Sequence, residues 1–332
     1  MKGRIKYLDV LRIVAISMVV MLHTGAYYQS TELAATTTLL SFLTALSSCA
    51  VPLFFMISGA LLLSPEYDLS VRRIVVKLIK LFIVWTVWSA VYALIDNPGA
   101  GFHTLVVRTF KGPFHFWFFE YLAAVYLLSP LMKALVSYQN GKFVKYILIC
   151  WFALGIIKYT MNGIQWHNEE LNVLTGKVHF ELAGFSGYFL LGYFLSNLKL
   201  GSSSSCLAWA LAYLSAAALQ MLAERSGMLQ VSTYNLTVLV AIESFCAFIA
   251  CRSAWPQNSA PSGRWLVPLA VSGMGVYIIH PIIMKYVAGY IGKGLPVSLR
   301  SLLLFAIVLL ASWGISLLLS KIPFIRKWLL SI

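Results

Sequence analysis

Apolar residues run along this chain in long blocks separated by short polar connections. A helix that crosses a bilayer needs roughly 20 predominantly apolar residues. Ten stretches approach that length: 7–28, 37–63, 73–95, 114–136, 143–161, 179–198, 206–223, 233–251, 265–288 and 298–320. The seventh and eighth are short. Gly201 and the serines 202–205 form a flexible linker between the first six blocks and the last four. The halves show no internal repeat. The pattern predicts an all-α polytopic membrane protein, a single transmembrane domain over 1–332 with about ten transmembrane helices in one bundle.

Composition and charge sharpen this picture. The chain is 60% hydrophobic and 11% charged, with a mean hydropathy of +0.82. A soluble domain is about 25% charged and under half apolar, so there is too little polar surface here for one. A net charge of +14 would suggest a nucleic-acid partner in a soluble protein. In this chain the positive residues sort by side instead. With the N-terminus in the cytoplasm, 17 of the 25 Lys and Arg fall on the inner side, which supports both termini cytoplasmic and an even number of crossings. Membrane lipids, not nucleic acid, are therefore the expected surroundings. The N-terminal block is too long for a cleavable signal and lacks a small-residue cleavage site. All five cysteines lie in or beside apolar runs and none forms a CxxC pair, so free thiols are expected, with no disulfide framework and no metal site.

The first block, residues 4–28, carries Asp9, Arg12 and His23. Charged and imidazole side chains are costly inside a bilayer and mark functional positions by default. Arg12 and His23 are eleven residues apart, about three helical turns, so they share one face separated by roughly 16 Å. For His23 the plain alternative is an idle interfacial histidine. The functional alternative is a general base with a near-neutral pKa. Arg12 either snorkels to the headgroups or pairs with Asp9, or it captures phosphate. Arg72, Arg73 and Lys77, with Lys80, open the third block from the same side. They are topology determinants or the holder of an anionic cofactor.

Further along, His115 and Trp117 lie at the outer interface, where aromatic belts are expected. Glu120 sits about one turn inside an apolar helix and could orient His23 or His115. Ser272, Tyr277 and His280 fall in the ninth block, with Tyr277 and His280 at i, i+3 and Pro281 bending the helix after them. They are interhelical glue or substrate contacts. The outer loop near 162–178 carries Trp166, His167, Glu169 and Glu170, a sugar or headgroup contact or, more simply, exposed polarity. No P-loop, GxSxG, HExxH or paired-thiol motif is present. What remains is acid–base work by His and Glu on a donor brought to the site.

At these residues the chain resembles the membrane acyltransferase 3 family. The resemblance rests on LDVLR (8–12) with His23 after ten intervening residues, VPLFFMISGALLL (51–63), RRIVVKLIK (72–80), HFWFFEYLAAVYLLSPL (115–131) and GVYIIHP (275–281), in family order over residues 4 to about 285. It implies a ten-helix bacterial inner-membrane enzyme that moves an acyl group, usually acetyl, from acetyl-CoA to a hydroxyl of a surface glycan or its lipid-linked precursor. Carried over by position, His23 is the catalytic histidine and Arg12 its partner in the Arg-x10-His motif, while Arg72 and Arg73 match the basic motif. Two positions depart from the pattern: Ile13 stands where glycine is usual, and Arg72 and Arg73 are adjacent where Arg-x-x-Arg is common. No permanently bound cofactor is expected, since acetyl-CoA is a substrate. The competing class is a transporter or flippase of a lipid-linked saccharide, which intramembrane charge also suits. A structural or sensory subunit is the third, and it leaves Glu120 and His280 without a reason.

Overall fold

The computed structural model describes residues 4–31, 37–164, 184–200, 205–229, 236–256, 263–292 and 294–330. The helices in chain order are α1 (Lys6–Thr31), α2 (Thr38–Ser47), α3 (Ala50–Leu62), α4 (Val71–Asp96), α5 (Phe102–Lys111), α6 (Trp117–Ser137), α7 (Lys142–Trp151) and α8 (Ile157–Gly163). They continue with α9 (Phe185–Asn197), α10 (Cys206–Arg225), α11 (Val238–Ala254), α12 (Leu266–Val271), α13 (Gly273–Val287) and α14 (Val297–Leu319). Among the described residues there is no strand, only an isolated antiparallel bridge between Ile164 and Leu229.

Seven segments are long and apolar enough to cross a membrane: Lys6–Ser30, Thr38–Leu62, Val71–Asp96, Phe102–Ser137, Lys142–Gly163, Cys206–Arg225 and Val297–Leu319. The other three expected crossings contain helices that fall short of that length. They are α9, with 13 described residues, α11 with 17, and the pair α12 and α13, which Ser272 separates. The second expected crossing is also broken, at Ser48 and Cys49 between α2 and α3. Each joint is marked only by small residues, Ser47-Ser48-Cys49 and Ser272-Gly273, inside a long apolar stretch, so a crossing-length window reads straight through it.

Helix α1 lies at the centre. Its Tyr7, Leu8, Leu11, Ala15, Ile16 and Val20 are all buried, and it packs against α2, α3, α11, α12, α13 and α14. Around it, α4, α10 and α14 turn Ile79, Phe82, Leu211, Ile307 and Leu310 outward. An exposed apolar band of this kind is stable only against lipid, where the backbone polar groups are satisfied within each helix. The closest crossing is α3 against α9. A Cβ built on Gly59 would lie 1.7 Å from the Phe189 carbonyl oxygen, and one on Gly192 1.9 Å from that of Met56. Backbone meets backbone there, as small residues permit between membrane helices. At the C-terminus the helical turn Ile325–Leu329 folds back on α4, where Trp88 Nε1 donates to the Leu329 carbonyl at 2.8 Å.

Candidate functional site: three histidines and a basic cleft at opposite ends of α1

His23 lies near the C-terminal end of α1, partly exposed. Its Nδ1 is 2.6 Å from Nε2 of His280, which is fully buried on α13. The ring centroids remain 4.8 Å apart at an interplanar angle of 30°, so the rings meet edge to edge rather than face to face. Nδ1 of His280 in turn lies 3.0 Å from the Val276 carbonyl oxygen one turn back. His115, in the 3₁₀ turn Phe114–Phe116 that leads into α6, completes the group, with its centroid 6.4 Å from His23 and 5.9 Å from His280. His115 is 1% exposed, and neither ring nitrogen has a hydrogen-bond partner among the described residues. A buried imidazole left unsatisfied costs free energy, so such a group marks a place where a ligand or water belongs.

Aromatic side chains hold the cluster in place. Tyr277 Oη donates to the His115 carbonyl, tying the 3₁₀ turn to α13. Tyr92 Oη on α4 donates to the Ile278 carbonyl at 2.8 Å, and its ring packs on His115 at 5.2 Å. Beside the cluster opens a cavity of about 350 Å³ lined by Tyr27, Tyr92, Phe114, His115, Pro281 and Lys285 among others. At its rim Lys285 pairs with Asp96 at 2.6 Å.

The N-terminal end of α1 carries charged groups on the helix itself, in Asp9 and Arg12. Asp9, 1% exposed, accepts hydrogen bonds from Arg4 Nη2 at 2.7 Å, Arg4 Nε at 2.9 Å and Arg12 Nη1 at 2.8 Å. Charge-assisted bonds of this kind fix the Arg12 guanidinium at the base of the helix. A second basic group faces a cleft of about 500 Å³ lined by Tyr67, Asp68, Ser70, Arg72, Arg73, Val76 and Lys77. Arg73 and Lys77 each stand 5.9 Å from the Tyr67 ring centroid, and Lys77 stands 5.5 Å from that of Tyr126. Tyr126 also lies within electrostatic reach of Arg12, so one phenol stands between the two basic groups. Lys133 Nζ donates to the Ser64 and Tyr67 carbonyls and pins the 64–70 connection beneath the cleft.

The fold thus brings His23, His115, Tyr277 and His280 together at one end of α1, and Arg12, Asp9, Arg72, Arg73 and Lys77 towards the other. It leaves three expected residues outside both groups. Glu120, expected to orient His23 or His115, is exposed and makes no hydrogen bond to either among the described residues. The inward stripe of α6 is Phe118, Leu122, Val125, Ser129 and Met132, and Glu120 falls with Ala124, Leu127 and Leu131 on the outward one. Its carboxylate sits instead in the first helical turn, where a negative charge is favoured. Trp117 packs against Tyr121 and Phe185, at 5.8 Å and 5.6 Å, away from the histidines. Ser272 serves the joint between α12 and α13: its Oγ donates to the Leu269 carbonyl, and its own carbonyl accepts from Ser316 Oγ, both at 3.0 Å. Trp166, His167, Glu169 and Glu170 lie outside the described residues.

Several residues of these groups escape a reading by sequence. Tyr67, Tyr92 and Tyr126 give no signal among 17 tyrosines. Glu243 does give one, because it is an acid in the middle of an apolar run. It is fully buried on α11, and neither carboxylate oxygen has a hydrogen-bond partner among the described residues.

A match to the Acyltransferase domain family, Acyl_transf_3, spans residues 5–320, nearly the whole chain. The chain belongs to this family. With its seven helices able to cross a bilayer, it is a membrane acyltransferase. No curated protein and no solved structure matches it significantly. The two ends of α1 thus differ in the groups they gather: Arg12 beside the basic cleft at one, imidazoles beside a cavity at the other. Among the described residues no group of three His, Cys, Asp or Glu side chains is arranged to hold a metal ion.

Proposed function

We propose that the chain is an O-acetyltransferase of the bacterial inner membrane. It transfers acetyl from acetyl-CoA to a hydroxyl of a surface polysaccharide or its lipid-linked precursor, with ten crossings and both termini in the cytoplasm. Within this reading, enterobacterial common antigen is the acceptor glycan to try first.

The observation that carries the reading is the arrangement along α1. Arg12 stands at the end beside the cleft of Arg72, Arg73 and Lys77, and His23 stands in a neutral cluster beside a cavity at the other. The cleft takes the donor's phosphates, and the acyl group extends along the helix. The acceptor enters the cavity beside His115, whose volume of about 350 Å³ lies within the usual range for small-molecule sites. His23 then accepts the proton of the attacking hydroxyl. The oxygen forms a bond to the acyl carbon, the carbon–sulfur bond breaks, and the proton passes to the departing thiolate.

The test is release of CoA thiol by purified protein with acetyl-CoA and a panel of lipid-linked glycans, wild type beside His23→Ala. Acceptor-dependent release that disappears in a folded His23→Ala protein is the expected result. Full release by that variant would exclude His23 as the base. Absence of both release and acetyl-CoA binding in the wild type would instead favour a transporter of lipid-linked saccharide.

A further inference from the structure

The histidine pair carries more information than proximity, because one of its partners has no choice of role. The Val276 carbonyl oxygen can only accept a hydrogen bond. Its 3.0 Å contact with His280 Nδ1 therefore places a proton on that nitrogen. In a neutral imidazole the other nitrogen then holds the lone pair. His280 is fully buried among Tyr277, Ile278 and Ile279, and the rings facing it are those of His23, His115 and Tyr277. No carboxylate faces it to compensate a positive charge, and burying an uncompensated charge is costly. His280 is thus neutral, with its lone pair on Nε2.

That Nε2 sits 2.6 Å from Nδ1 of His23. Two lone pairs cannot meet at that distance, so His23 donates from Nδ1. The lone pair of His23 is then confined to Nε2, on the side of the ring turned away from His280. Among the described residues no side chain hydrogen-bonds that nitrogen. We propose that His280 is a positioning residue: together with the Val276 carbonyl it holds His23 in the Nδ1–H tautomer and so exposes Nε2 as the base. This rests on the reading of His23 as the base of acyl transfer.

When His23 takes the hydroxyl proton on Nε2 it becomes an imidazolium, and its Nδ1–H points at the lone pair of His280. The arrangement does what the carboxylate does in a serine-protease triad, orienting the base and stabilising its protonated form. Here the orienting group is a neutral imidazole backed by a backbone carbonyl. In a membrane interior this has a physical advantage, since no permanent charge has to be buried in the resting state.

Two measurements on the full chain in lipid nanodiscs test the proposal. The first is ¹⁵N NMR of imidazole-labelled protein, with His23 assigned from the signal lost in His23→Gln. The wild type should show His23 protonated at Nδ1, with a nitrogen–nitrogen coupling across the bond to His280. A lone pair on His23 Nδ1 would overturn the proposal whatever the protein's activity. The second is turnover. His280→Phe keeps the ring shape and removes the acceptor, and should lower kcat by roughly 100-fold or more with KM essentially unchanged. His280→Gln, whose Oε1 can accept from His23, should recover a large part of that loss. Equal turnover in wild type and His280→Phe would overturn the positioning role. If His280→Phe fails to fold, the wild-type tautomer still decides the question. A wild type inactive with every acceptor would count against the proposed function, while the NMR result still judges the tautomer.

Discussion

The α3–α9 crossing allows one substitution to be worked through from the coordinates. Alanine at Gly59 would place its Cβ 1.7 Å from the Phe189 carbonyl oxygen and 2.6 Å from the carbonyl carbon. Contact of that closeness is not relieved by a rotamer change, because the obstacle is backbone. The helices must separate by well over 1 Å before the methyl reaches van der Waals distance at about 3.4 Å. Alanine gains about 1 kcal/mol over glycine in helix propensity. Overpacking costs about 1–3 kcal/mol where side chains can give, and more where they cannot. The net effect of Gly59→Ala should therefore be destabilising by about 2 kcal/mol or more, an apparent melting decrease of several degrees. Gly192→Ala faces the Met56 carbonyl oxygen at 1.9 Å and should cost about as much. Because either methyl pushes the same two helices apart, the double variant should cost clearly less than the sum of the singles. Gly314→Ala on α14, with nothing within 4 Å of the new Cβ, is the control and should be neutral or slightly stabilising. The assay is thermal unfolding in one detergent followed by tryptophan fluorescence. If Gly59→Ala melts with the wild type, or if the two glycines are strictly additive, the close backbone crossing is not real. The site should feel the change as well. Phe55 on α3 packs on Phe118 at 5.4 Å, and Phe118 on Tyr277 at 5.4 Å, so moving α3 disturbs the phenol that holds His115.

Three further substitutions separate the two ends of α1. Glu120→Gln should leave acyl transfer within about twofold of wild type, as expected of an exposed residue outside the histidine group; a loss of 100-fold would restore it as a catalytic partner. Lys133→Met releases the 64–70 connection from its two hydrogen bonds, and should raise KM for acetyl-CoA with little change in kcat in steady-state assays. Asp9→Ala strips Arg4 and Arg12 of their shared carboxylate. A fully buried pair loses about 3–5 kcal/mol on such a change, but the two arginine side chains are 39% and 27% exposed, so about 1–2 kcal/mol is expected from thermal unfolding. Adding Arg12→Gln to Asp9→Ala should reverse part of that loss.

The central helix and both of its polar ends were legible in the chain because they obey one rule. An ionisable side chain in an apolar helix needs a reason, and helical spacing states which others share its face. Asp9, Arg12 and His23 fall out of that rule on α1, and so do Tyr277 and His280 on α13. The rule works less well one helix away. Glu120 breaks the apolar run as clearly as His23 does, but its angular position on α6 puts it outward, and only the buried stripe of Phe118, Leu122 and Val125 reveals this. The same stripe analysis applied to the sequence would have flagged the phase. Glu243 was readable by the ionisable-residue rule and lies buried. The helix joints at Ser48–Cys49 and Ser272 were not legible, because one or two small residues do not interrupt a crossing-length apolar window. What no periodicity can supply is the partner across the bundle. His23 and His280 are 257 positions apart, and nothing in either local pattern names the other.

The division of charge along α1 constrains how the reaction can run. Formal charge is concentrated at the N-terminal end, in Arg4, Asp9 and Arg12 and in the cleft of Arg72, Arg73 and Lys77. The C-terminal end holds imidazoles and phenols, with the Lys285–Asp96 pair at the cavity rim and the Arg300 guanidinium 5.3 Å from the Tyr28 ring centroid. On the proposed function, a polyanionic donor meets its cations in the cleft of Arg72, Arg73 and Lys77, whereas Lys285 at the other end is already paired with Asp96. On the same proposal, the hydroxyl that receives the acyl group is deprotonated at the end where an imidazole can take the proton. Arg12 and His23 are separated by roughly 16 Å of helix. On that proposal the anionic part of the donor stays at the cleft while its acyl end spans that distance on a path along α1. Side chains that close that path between the two ends should abolish transfer and leave donor binding at the cleft intact.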